Sequence, residues 1–182
     1  MTVDTKLPYE KDYVNTFSDN RNEPEWMKSL RLHALELAGT LEMPKPDKTN
    51  ITKWNFTEFK HDYLKGQEIQ SLDELPEDIK VFLDLKNKNQ NLLIQRNQSV
   101  AYQSLSKELQ DKGVILTDIF TALQNHSDLV QRYFMKDAVS IDEHRLTALH
   151  TALMNGGAFV YVPKNVVIEE PLQTIYWQED NE

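Results

Sequence analysis

GGAFVYVPKNVVIEEPLQTIYW, residues 156–177, is the stretch on which the reading of the fold turns. Three short apolar segments, 158–163, 165–170 and 172–177, alternate with a period of two and are punctuated by Pro163 and Pro171. That pattern predicts strands. A strand carries a row of backbone donors and acceptors that must be paired, so these three need neighbours. They are expected to pair with a hairpin elsewhere in the chain, to pair with a second molecule, or to fray.

Upstream the period is 3.6. SIDEHRLTALHTALMNGG, 140–157, reads as a helix with Ser140 and Glu143 at capping-box spacing. Leu146, Leu149 and Leu153 form its apolar stripe, and Asn155-Gly156-Gly157 its stop. Before it, IFTALQNHSDLVQRYFM predicts two helices meeting near Asn125 to Ser127, SKELQDKG a short helix ended by Gly113, and VILTD a strand. NLLIQRNQSVAYQSL predicts a hairpin turning at 96–99, within the span 92–105 where a partner for the last strands is sought. Ser71 and Glu74 again have capping-box spacing, and Pro76 breaks that turn or starts a second one. RNEPEWMKSLRLHALELAGT predicts a helix with Pro24 in its first turn, Glu23 and Glu25 favouring its dipole, a stripe of Trp26, Leu30, Ala34 and Leu37, and a stop at Gly39. Tyr9, Tyr13 and Phe17 lie on one face of a further short helix.

The fold class is therefore α+β, mostly helical with a small sheet and a β segment at the end. The expected division is a polar amino-terminal helix or arm at 1–22, a helical domain with a small sheet at 23–155, and the β segment at 156–182.

Composition excludes more than it assigns. A net charge of −9 argues against nucleic acid and anionic membranes as partners. Cysteine is absent, which removes disulfides, thiol nucleophiles and thiolate-held clusters within this chain. No apolar leader and no run of 18 apolar residues occurs, so a cytoplasmic protein is expected. Neither phosphate-loop nor G-x-S-x-G patterns exist among the five glycines, and the five histidines form no H-E-x-x-H pair. Asp142 and Glu143 are read as acids of a helix start, and Asp73, Glu74, Glu77 and Asp78 as a solvated face. His150 is read as structural for want of an activating partner. The alternative is a small enzyme using His150 or His144 with nearby acids. No catalytic, cofactor-binding or metal residue is assigned. The aromatics Trp54, Phe56 and Phe59 follow an extended connector set by Pro44 and Pro46. Three aromatics within six residues are rarely all left in water, so this loop packs into a core or docks a partner.

Two stretches carry a resemblance. In the first, Trp26 with Arg31, then Pro44 and Pro46, then Trp54 with Thr57, a helix leads to a proline loop and a tryptophan run. In the second, LTALHTALMNGGAFVYVPKNVVIEEPLQTIY, preceded by FMKD, helix, glycine, strand, Val-Pro-Lys, strand and Glu-x-Pro-Leu-Gln succeed one another. Together they resemble the amino-terminal region of the SufB/SufD family of iron–sulfur cluster assembly proteins, on its Gram-positive SufD side. Lys53 and Asn55 flanking Trp54 depart from the family pattern. The resemblance implies that residues 156–182 begin a right-handed parallel β-helix of which this chain holds only the first rungs. It implies a scaffold role without catalysis, partners that are SufB-like and SufC-like, and a parent complex that handles iron–sulfur clusters and, through its ATPase, ATP. A docking surface for a sulfur donor or cluster acceptor, at Trp54, Phe56 and Phe59, is a further expectation. A stand-alone interaction module of unrelated origin is the competing reading.

Overall fold

The computed structural model describes residues 9–56, 68–83 and 91–179. The chain folds as two compact units, each assembled from two stretches: residues up to 62 with 123–154, and residues 63–122 with those from 155 onward.

The first unit is helical. Helix α1 spans Lys11–Asn20, and its aromatic face forms as expected, with Tyr9 and Tyr13 rings 4.8 Å apart and Tyr13 and Phe17 rings 6.5 Å apart. Helix α2 spans Glu25–Thr40 with Pro24 as its cap. Gly39 lies inside it, so the stop comes later than the glycine suggested. The buried face is also one position away from the expected stripe. Met27, Arg31, Ala34, Leu35 and Ala38 are buried, whereas Trp26, Leu30 and Leu37 are only partly so. The cause is Arg31, a cation that no hydrophobic pattern places inside.

The last helix of this unit (numbered α7 in chain order) spans Arg145–Leu153. It begins at neither Ser140 nor Glu143. His144 is the cap, its Nδ1 accepting from the Thr147 N–H (3.2 Å) while its own N–H donates to Thr147 Oγ1 (3.1 Å). Ser140 instead donates its hydroxyl to Asp142. On α7, Leu149 and Leu153 are buried as expected, while Leu146 is partly exposed. Ala34 and Ala38 of α2 share one core with Ala148 and Ala152 of α7. Small side chains at i, i+4 on both helices let the backbones approach closely, and Val14, Leu35, Leu149 and Leu153 fill the remaining space.

The second unit holds the strands. β1 (Asn91–Arg96) and β2 (Ser99–Ser104) form the expected hairpin, with Asn97 taking a positive φ of 51° in the two-residue turn. Ser71 and Glu74 do make a capping box on a single 3₁₀ turn, Leu72–Glu74, and Pro76 starts helix α3 (Glu77–Lys80). Ser106 caps α4 (Lys107–Asp111), which leads through Gly113, at φ 80°, into β3 (Ile115–Asp118). Asp118 Oδ1 then accepts from the N–H groups of Phe120 and Thr121 at the head of α5 (Ile119–Asn125). After α5 the chain passes His126 and returns to the first unit as α6 (Ser127–Tyr133).

Of the three strands expected at the end, two form. β4 (Ala158–Tyr161) pairs antiparallel with β3, and β5 (Leu172–Trp177) pairs parallel with β1, from Asn91 opposite Leu172 to Arg96 opposite Trp177. The middle stretch, 165–170, is irregular. There the Val166 N–H donates to the Pro163 carbonyl, and Asn165 at φ 67° turns the chain too sharply for a strand. The sheet order is β2-β1-β5, which makes β1 central and buries Asn91 through Gln95. A strand covered on both faces loses the alternation of a half-exposed one. Beneath the sheet, Leu75, Ile79 and Leu83 pack with Leu92, Ile94 and Ala101, joined by Ile175 and Trp177.

Candidate functional site

The loop between α2 and the aromatic run is built from local interactions. Pro44 and Pro46 hold it extended. Asn50 Oδ1 then accepts from both the N–H (3.0 Å) and the hydroxyl (2.6 Å) of Thr52. The Trp54 N–H donates to the Ile51 carbonyl at 3.0 Å, closing a turn that points the indole outward. Trp54 is 59% exposed, and Phe56 is half-buried with its ring centroid 6.0 Å from that of Trp54. Phe59, the third aromatic of the expected docking set, lies outside the described residues, as does Thr57. Around the indole the loop bears Lys45, Lys48 and Lys53 against Glu42 and Asp47, with Lys45 and Glu42 paired at 3.2 Å. The result is an open aromatic surface with a slight local excess of positive charge on an acidic chain.

Under this loop lies a buried charge network that hydropathy did not reveal. Arg31 meets Glu23 through two parallel bonds, Nη2 to Oε1 at 2.6 Å and Nε to Oε2 at 2.8 Å, with both side chains out of solvent. Ser18 donates to the same carboxylate at 2.8 Å, and the guanidinium stands 5.0 Å from the Phe17 ring. Nη1 of Arg31 donates to the carbonyls of Ala152 (3.1 Å) and Thr151 (3.4 Å), in the last turn of α7, where a cation is favoured by the helix dipole. Glu23, expected to serve the dipole of α2, is thus committed to Arg31. Trp26, the other residue of the Trp-x-x-x-x-Arg spacing, donates its indole N–H to Ser127 Oγ at 2.8 Å. That spacing was the one sequence signal pointing to Arg31.

The remaining candidates do not converge. His144 is a helix cap, and His150 keeps exposed surface on α7. The pKa of His150 is pushed below its ordinary value, first by desolvation and then by the charge of Arg31. His61 lies outside the described residues. Glu74 closes its capping box and Glu77 pairs with Lys80 at 2.9 Å, so the acids around Pro76 serve helix starts. Among the described residues no group of three or more His, Asp or Glu could hold a metal ion. None of the described helices is long and apolar enough to cross a membrane.

Residues 8–174 match the family described as the SufBD protein N-terminal region. The chain is 54% identical over all 182 residues to the iron-sulfur cluster assembly protein SufD of Bacillus subtilis (strain 168), and covers 42% of that protein. It is 34% identical over 175 residues to an iron-sulfur cluster assembly SufBD family protein of Staphylococcus aureus (strain USA300), covering 91% of the chain and 37% of that protein. The chain thus spans less than half the length of these curated relatives.

Proposed function

The chain belongs to the SufBD family, matching its N-terminal region, and from that premise we propose that it is the amino-terminal domain of a SufD-like scaffold component of a SUF iron–sulfur cluster assembly complex. The observation that carries this reading is the 54% identity running the full length of the chain. Family membership sets aside the unrelated stand-alone module. In this reading the segment acts structurally, in the cytoplasm. It has no catalysis and no cofactor of its own, and clusters are the cargo of the whole complex. Partners are SufB-like and SufC-like proteins, met mostly outside these residues, and the ATPase among them brings ATP.

The same reading makes residues 156–182 the opening of a right-handed parallel β-helix, with 23–155 as the helical domain that covers its end and 1–22 as an arm. The parallel ladder of β1 and β5 supports it, since strands so far apart in sequence stack in register as successive coils do. Trp54 and Phe56, with Phe59, form the docking surface for a sulfur donor or cluster acceptor.

The test is affinity purification of the full-length protein from its host. SufB-like and SufC-like proteins should co-purify, and deleting the gene should lower the activity of iron–sulfur enzymes such as aconitase. Normal aconitase activity in the deletion strain, with neither partner recovered, would sink the proposal.

A further inference from the structure

We propose that His144 is an acid-sensitive latch holding the base of the Trp54 loop to helix α7. The cap on α7 is an imidazole where a carboxylate, amide or hydroxyl is the usual choice. Its Nδ1 accepts the Thr147 N–H, so the ring proton sits on Nε2. Protonation places a hydrogen on Nδ1, and the acceptor becomes a donor facing another donor. The cap is then lost within the range in which imidazoles change charge, about pH 5 to 8.

The next residue ties this event to the loop. The Arg145 N–H, first in α7, donates to the Glu42 carbonyl at 2.9 Å, just where the proline segment leaves α2. That N–H is held in place only while the first turn of α7 keeps its geometry. The charged groups on the segments joined here are Asp142, Glu143 and Arg145 on one side, and Glu42 with Lys45 on the other. From α2, the Arg31–Glu23 pair faces the far end of α7, where Arg31 disfavours a second positive charge on His150. Acidification therefore loosens α7 at its start and opposes it at its end. The consequence for docking rests on the reading of the Trp54 loop, whereas the latch itself does not.

Amide hydrogen exchange on the 182-residue chain, corrected for the intrinsic pH dependence of exchange, separates the two. Between pH 7.5 and 5.0 the protection of the Thr147 and Arg145 amides should fall about fivefold or more. In His144→Asn, whose amide oxygen caps at any pH, both should stay protected, while His150→Gln should behave as the wild type at these two amides. The imidazole nitrogen shifts of His144 at pH 7.5 should be those of the Nε2–H tautomer. Unchanged protection in the wild type, or the same loss in His144→Asn, overturns the latch. Loss at Thr147 with Arg145 still protected overturns its connection to the loop. Pull-down with Trp54 variants reports on docking alone.

Discussion

Arg31 concentrates the energetics of the helical unit in one side chain. Its guanidinium satisfies a buried carboxylate and two carbonyls at the end of α7 at once. Removing one partner of such a pair leaves the other charge buried and unmatched, which costs about 3–5 kcal/mol. Arg31→Met should therefore lower the urea midpoint sharply, and Glu23→Leu added to it should recover much of the loss. A double variant no more stable than Arg31→Met would mean that Arg31 acts through packing or the α7 carbonyls alone. Trp54 is the opposite case. With its indole largely in water, Trp54→Ala should shift stability by no more than about 0.5 kcal/mol. The same change should weaken partner capture by the full-length protein if the loop docks. A large drop in melting temperature would instead make the loop part of a core. Gly156 is constrained by a neighbour: a Cβ there would stand 2.4 Å from Gln95 Nε2. Gln95 is buried, donating to the Asn97 carbonyl and accepting the Gly157 N–H, so Gly156→Ala should cost about 1–3 kcal/mol in thermal or urea unfolding.

Among the elements, β5 answers the question raised by residues 156–177. It neither frays nor waits for a second molecule, because β1 pairs with it along six residues. A clamp fixes its far end: Arg96 lies 4.6 Å from the Trp177 ring and pairs with Glu179, while Asn97 binds the backbone at both Trp177 and Glu179. Limited proteolysis should therefore leave residues 158–177 intact in the wild type and cut near Trp177 in Arg96→Ala. Equal cleavage in both would show that the ladder alone holds the strand. Most elements were legible in the sequence: both capping-box spacings were noticed, the hairpin register was placed, and the break between α5 and α6 was located. The box at Ser140 failed because His144, three residues before Thr147, competes for the same helix start with equally good geometry. The strand at 165–170 failed because apolar alternation does not register the left-handed turn at Asn165.

For the molecule as a whole, pH offers a global check. The folded state lowers the pKa of His150, so the unfolded chain takes up that proton first as pH falls. The contribution is fully present above the ordinary histidine value, near about 6.5, and is lost as the pH drops through it toward the folded value. Urea midpoints should fall on acidification, and His150→Gln should flatten part of that slope; an unchanged slope would remove His150 as a contributor. Local pattern was enough to identify the α+β class, the helix and strand positions and the family resemblance, because period, caps and turn residues act over a few neighbours. The three-dimensional fold alone decided that Arg31 lies inside, that β1 is shared between β2 and β5, and that α7 is capped by a histidine. Each of these depends on partners tens of residues away, whose charges, ladders and close approaches are set by packing and leave no periodic trace in the chain.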